Sequence, residues 1–185
     1  MNMEGARLIC EELEISEQDF YTAIQSFTGA SKRLELLDKN EHTTIFKDFA
    51  HSPSKLKATT AAVKAQFTNR ELVACMELHT FSSLNQEFLA EYAGAMDTAD
   101  TAIVYFNPKT LAHKKLATIT TEQVKNAFKR DDLIVYDSPE KLNSDLLATN
   151  WKNKNLLLMS SGNFGGIDLE VLKREVLTSP KKLME

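Results

Sequence analysis

Three uninterrupted apolar runs limit what this chain can fold into: ELVACME (71–77), TAIVYF (101–106) and NLLLMS (155–160). A half-exposed strand alternates apolar and polar residues, whereas continuous runs of this length belong to strands covered on both faces. A shorter run, LIVY (133–136), has the same character, and helical patterns at 53–66, 84–96, 121–129, 139–148 and 168–177 alternate with the runs. Upstream, LELL and TTIFKDF read as two more strands around the polar turn KNEH. The expected class is α/β: a doubly wound, mostly parallel Rossmann-like sheet of about six strands with helices on both faces.

The first thirty residues differ. Residues 3–14 carry apolar side chains at helical spacing, and Ser16 with Asp19 forms an acidic variant of a capping box before a second helix over 17–27, closed by Gly29. A chain of 185 residues buries roughly two thirds of the surface its unfolded form exposes, so one real core is expected beyond this helical pair.

Composition removes several classes. A net charge of −4 does not suit a nucleic-acid groove, and the adjacent basic pairs Lys114-Lys115, Lys129-Arg130 and Lys181-Lys182 read as solvated surface. No apolar run approaches the ~20 residues needed to cross a bilayer, and the acidic N-terminus lacks the features of a signal peptide. Cytoplasmic location is expected, with Cys10 and Cys75 as buried reduced thiols.

In a doubly wound sheet, ligands bind beyond the carboxyl ends of the strands, which nominates FAHSP (49–53), LHTFSS (78–83), FNPKT (106–110) and SSGNFGG (160–166). Ser52 followed by Pro53 is a helix start, with the serine hydroxyl expected to accept an early backbone N–H. That leaves Asp48 and His51 for a ligand. Ser160-Ser161-Gly162-Asn163-Phe164-Gly165-Gly166 allows close backbone approach and opens a helix that could hold an anion. No acidic residue follows at the spacing of a dinucleotide fingerprint, and no G-x-S-x-G elbow surrounds Ser82 or Ser83, either of which could cap a helix. A phosphate-binding G-x-x-x-x-G-K-[ST] loop is absent, and nothing pairs two carboxylates at a helical spacing that would suggest metal or glycosidase chemistry.

Four stretches in order resemble the C-terminal domain of the Mur ligases, the ATP-dependent amide ligases of peptidoglycan synthesis. Asn2-Met3-Glu4-Gly5-Ala6 resembles the end of H-N-x-x-N. Phe27-Thr28-Gly29-Ala30-Ser31-Lys32-Arg33-Leu34-Glu35 resembles F-x-G-x-x-R-R-[LMF]-E. Asp48-Phe49-Ala50-His51-Ser52-Pro53 resembles D-[YF]-[AG]-H-x-P. Met159 to Ile167 resembles M-S-N-G-G-F-G-G-I most closely. The last version points to the branch that joins murein tripeptide to UDP-N-acetylmuramate in peptidoglycan recycling, with the branch that takes L-alanine second.

The resemblance implies a division into 1–33, a helical tail of the central ATP-binding domain, and 34–185, the C-terminal domain. It implies that the chain is part of a three-domain enzyme and inactive alone. It implies ATP with magnesium, held mainly by the central domain, and an acyl phosphate attacked by the incoming amine. The implied ATP contacts are Asn2, Arg33, Asp48 and His51; the implied contacts to the amine substrate are His79, Ser82, Ser83, Ser161, Asn163 and Phe164. No residue is assigned a catalytic role. Where the family usually carries an arginine in the third-strand loop, this chain has His79-Thr80. A noncatalytic α/β module that holds a nucleotide or a protein partner on the same loops is the alternative from a different class.

Overall fold

The computed structural model describes residues 2–27 and 33–178, apart from the side chain of Asn2. The chain divides into two compact units, Met1–Ala30 and Ser31–Glu185. The junction at Thr28–Lys32, including Gly29, and the Lys181-Lys182 pair lie outside the described residues.

In the first unit, helix α1 (Asn2–Glu12) is followed by α2 (Glu17–Ile24). Ser16 caps α2 as the sequence suggests: its Oγ accepts the Asp19 amide at 3.1 Å and donates to the Asp19 carboxylate at 2.6 Å. Arg7 bridges Glu4 and Glu11 at one helical turn in each direction. Cys10, expected to be buried, is only partly so.

The second unit is the expected α/β sheet. Strands β1 (Glu35–Lys39), β2 (Thr44–Asp48), β3 (Glu71–Leu78), β4 (Thr101–Phe106), β5 (Ile134–Tyr136) and β6 (Lys154–Met159) stand in the order β1-β2-β6-β3-β4-β5. Only the β1–β2 pair is antiparallel. The continuous apolar runs work as anticipated, because β3 sends alternate residues to opposite cores. Leu72, Ala74, Met76 and Leu78 pack with Leu56 and Val63 of α3 (Pro53–Gln66), Leu111 of α5 (Pro108–His113), and Val124 and Phe128 of α6 (Thr121–Phe128). Val73 and Cys75 pack on the other side with Leu142 and Leu146 of α7 (Pro139–Ala148), and Leu172 and Val176 of α8 (Leu169–Thr178).

Three expectations are corrected. The helix expected over 84–96 is a short α4 (Gln86–Leu89) running into a 3₁₀ turn at Ala90–Tyr92. Gly94, with φ +71°, then takes the chain out of helical geometry. FNPKT is not a loop: Asn107 caps α5, accepting the Lys109 amide at 2.9 Å, with Pro108 in the first turn. Arg130 is not solvated surface, since its guanidinium binds Asp132 and the Met96 carbonyl and is largely covered.

Candidate functional site

The chain runs from β2 past β6 to β3, then outward through β4 and β5, and returns to place β6 between β2 and β3. The strand order therefore reverses beside β6, and crevices at such reversals are where open parallel sheets bind ligands. The ends of β2, β3 and β6 all reach this edge.

At the β2 exit the carboxylate of Asp48 is 7% exposed and already engaged. One oxygen accepts the Leu34 amide and the other the Ala50 amide, each at 2.6 Å. The Asp48 carbonyl accepts the Ser160 amide at 3.0 Å, tying this loop to the one after β6. Asp48 is thus not the unengaged acceptor expected from the sequence. Ser52 is the helix N-cap by position, but its side chain makes no capping bond, and Pro53 alone supplies the start signal. The His51 ring nitrogen Nδ1 lies 2.9 Å from the Phe49 carbonyl, which can only accept, so Nδ1 donates in this contact. The His51 carbonyl in turn accepts the Tyr92 hydroxyl. Phe49 stands between the His51 ring at 5.1 Å and the exposed Arg33 guanidinium at 5.7 Å. Three of the expected nucleotide contacts, Arg33, Asp48 and His51, therefore gather around Phe49, a residue the sequence reading did not single out. The fourth, Asn2, has a side chain outside the described residues.

The β3 exit is a self-bonded turn. Ser83 is fully buried; its hydroxyl accepts the Thr80 amide at 3.0 Å, and its own amide donates to the Thr80 hydroxyl at 3.1 Å. Ser83 holds the turn and does not face solvent, in contrast to its expected role as a substrate contact. Ser82 sits on the exposed side and lines a groove of about 520 Å³ with Phe81, Asn85, Glu87, Phe88, Glu91 and Leu116. Neither serine caps the helix: Asn85 does, accepting the Glu87 and Phe88 amides.

The loop after β6 is organised by a residue the sequence reading passed over. Glu77, 1% exposed, accepts the Ser160 hydroxyl and, at 2.8 Å, the Phe164 amide through the same oxygen, Oε2. Its other oxygen faces His79 Nδ1 at 3.5 Å. The sequence did carry a signal, a carboxylate late in the apolar run ELVACMEL with apolar residues on both sides, where an unpaired charge would be costly. Phe164 itself turns inward and packs in the α7–α8 core, so it supports the loop from beneath and offers no ring to a ligand. Asn163 is exposed, and Ser161 is partly covered with its hydroxyl unbonded. Next to Glu77 in register, Tyr105 is fully buried; burial first, and the Glu77 charge second, push its phenol up to about 12, so it stays a neutral donor near neutral pH. Gly162 is required by crowding: a Cβ there would lie 2.6 Å from His79 Nδ1 and 2.7 Å from Glu77 Oε2.

Residues 32–162 match the family described as Mur ligase, glutamate ligase domain. The chain belongs to the Mur ligase family. Among Mur ligases it is 36% identical over 104 residues to the UDP-N-acetylmuramate–L-alanine ligase of Cutibacterium acnes, covering 56% of this chain and 22% of that protein. It is 27% identical over 181 residues to the enzyme of the same name from Agathobacter rectalis, covering 94% of this chain and 38% of that protein. This Mur ligase chain thus spans well under half the length of these relatives. Two solved structures share the fold. A Thermotoga maritima UDP-N-acetylmuramate-alanine ligase has a TM-score of 0.71 at 15% identity, covering 95% of this chain and 36% of that one. A murein peptide ligase from Psychrobacter arcticus has a TM-score of 0.65 at 22% identity, covering 96% and 36%.

Members of the family are ATP-dependent ligases that form amide bonds. Among the described residues no group of three or more His, Cys, Asp or Glu side chains could hold a metal ion, so magnesium is assigned no ligand here. No helix among the described residues is long and apolar enough to cross a membrane.

Proposed function

We propose that this chain supplies the C-terminal domain of an ATP-dependent amide ligase acting on UDP-N-acetylmuramate, residues 1–33 being the helical end of its central domain. In this reading the β2 exit meets the nucleotide and the β3–β6 crevice meets the incoming amine. The observation that carries it is the convergence at the carboxyl ends of the strands of Arg33 over the Phe49 ring, His51 edge-on to that ring, and a glycine loop opposite His79. ATP supplies phosphoryl activation of the muramyl carboxylate; the amine nitrogen then attacks the acyl carbon and phosphate leaves. The chain's own residues position the reactants. Arg33 is exposed and suited to phosphate charge, while Ser82 and Asn163 are exposed to polar groups.

Murein tripeptide is the proposed amine, supported by the likeness of Met159–Ile167 to the glycine loop of the recycling branch. L-alanine is the second reading, favoured by the names of the relatives above. A ligation assay on protein from the complete reading frame, offering L-alanine and tripeptide separately with ATP and UDP-N-acetylmuramate, decides between them by phosphate release. Release with L-alanine alone would overturn the tripeptide reading, and turnover by these 185 residues alone would overturn the assignment as a supporting domain.

A further inference from the structure

Among the described residues, three buried side-chain polar atoms fall short of a full hydrogen bond: His79 Nδ1, which has the Glu77 carboxylate at ion-pair distance, Tyr105 Oη, which has the Asn107 side chain beside it, and Ser161 Oγ. They do not scatter. His79 Nδ1 faces the free oxygen of Glu77 at 3.5 Å, Tyr105 is the register partner of Glu77 on β4, and Ser161 follows Ser160, whose hydroxyl Glu77 accepts. A Cβ on Gly165 would strike the Tyr105 hydroxyl, so the loop closes down on that atom as well. Polar atoms withdrawn from water are unfavourable unless closely paired, so this cluster depends on how firmly the Glu77 carboxylate and the loop around it are held.

We infer that Glu77 is the positioning residue of this crevice: it pins the loop Ser160–Gly166 against β3 and so sets the shape that the loop and His79 offer to the incoming amine substrate. This rests on the function proposed above. The loop needs such a pin. Phe164, Gly165 and Gly166 all have positive φ, and Phe164 pays the steric penalty of a non-glycine residue there. Its amide bond to Glu77 holds that conformation, and the Ser160 hydroxyl, bonded to the same oxygen, accepts the Gly162 amide at 2.6 Å. One carboxylate oxygen thus orders both ends of the loop. The second oxygen, turned toward His79, fixes how that ring faces the crevice.

The chemistry separates two substitutions. In Glu77→Gln the amide oxygen can still accept from Ser160 and Phe164 while the NH2 faces His79 Nδ1. In Glu77→Leu neither bond survives. Hydrogen exchange on the 185-residue chain should show Phe164 and Gly162 amides protected in the wild type and in Glu77→Gln, and exposed in Glu77→Leu while the β3 and β4 amides stay protected. In the ligase assay, Glu77→Leu should raise KM for the amine about tenfold or more, with kcat within about threefold and KM for ATP unchanged, and Glu77→Gln should restore it. Unchanged amine KM in Glu77→Leu, or equal losses toward ATP and amine, would overturn the inference while leaving ligase function standing. A wild-type protein that ligates neither amine would instead overturn the proposed function, and this inference with it.

Discussion

The carboxylate of Asp48 accepts the main-chain amide of Leu34, fourteen residues upstream, at 2.6 Å. Since its other oxygen accepts the Ala50 amide, this side chain joins the entry of β1 to the exit of β2 before any ligand is considered. Asp48→Ala leaves two backbone donors without their acceptor and is expected to cost about 2–4 kcal/mol, the range for losing hydrogen bonds to a covered charge. Asp48→Asn keeps one acceptor but sets an NH2 against the second amide, and should cost less than alanine yet more than 1 kcal/mol or so. Urea unfolding of the three proteins measures both. Equal stability of Asp48→Ala and wild type would show that the carboxylate serves only a ligand.

Arg33 should behave in the opposite way. Its guanidinium is exposed and its contact with the Phe49 ring is the weak, solvent-screened kind, worth roughly 0.5–1 kcal/mol. Arg33→Ala is therefore expected to move stability by no more than that while raising KM for ATP in the ligase assay. A stability loss of several kcal/mol, or an ATP response no different from wild type, would remove Arg33 from the nucleotide site.

Two glycines of the loop after β6 should separate crowding from backbone strain. Gly162→Ala drives a methyl group to within 2.6–2.7 Å of His79 and of a Glu77 oxygen that is held in place by two bonds, and overpacking of this kind costs about 1–3 kcal/mol. Gly166→Ala meets open space, so only its φ of +90° counts against it, about 1 kcal/mol or somewhat more. The histidine NMR resonances should shift for His79 in the first variant and not in the second. If the second variant moved His79 as far as the first, the close packing around Gly162 would be refuted.

Acid should loosen the contact between α3 and the start of β3. Partial burial works to raise the Asp100 pKa, but the Lys64 ammonium and the Leu72 amide, both 2.6 Å from one oxygen, outweigh it and hold the carboxyl below its ordinary value of 3.8. A carboxylate with a lowered pKa in the folded state stabilises fully above the unfolded value, and that stabilisation is lost as pH falls through the folded one. Unfolding free energy should consequently decline as pH drops below about 4, and Asp100→Asn should flatten that part of the curve. Asp100 is more than a third exposed, so the flattening should be small, and a steeper acid dependence in Asp100→Asn would reverse the sign argued here.

The sheet was legible because burial on both faces writes itself into sequence: Leu72 to Met76 and Leu156 to Met159 leave no polar face to misread. The two capping readings fared differently. Ser16 was correct because its partner Asp19 lies three residues away, within the local pattern, whereas Ser52 was not, because Pro53 already starts α3 and no local rule demands the hydroxyl. The helix over 84–96 was overextended since its apolar spacing continues through Tyr92, while what ends it, Gly94 in a left-handed conformation with its amide on the Phe128 carbonyl, is a contact with a residue 34 positions further on. The same distinction runs through the site. Asp48 and His51 could be placed at the carboxyl end of the sheet from their position at and just after the end of a strand. That Asp48 is spent on backbone amides, and that Glu77 commands the glycine loop 83 to 87 residues away, depends on which strands become neighbours. Composition holds no record of that.

Strand β6 lies between β2 and β3, which have no pairing with each other. On a ribosome, then, β2 and β3 emerge long before the strand that joins them, and each keeps an unpaired edge until residues 154–159 have been made. The sheet cannot be completed from its N-terminal half outward; its centre closes last, and the crevice between the ends of β3 and β6 comes into being only with that final insertion. A nascent chain stalled after β5 would carry the β2 exit, with Phe49 and His51, but not the loop Ser160–Gly166 or the crevice to which the proposed function assigns the amine.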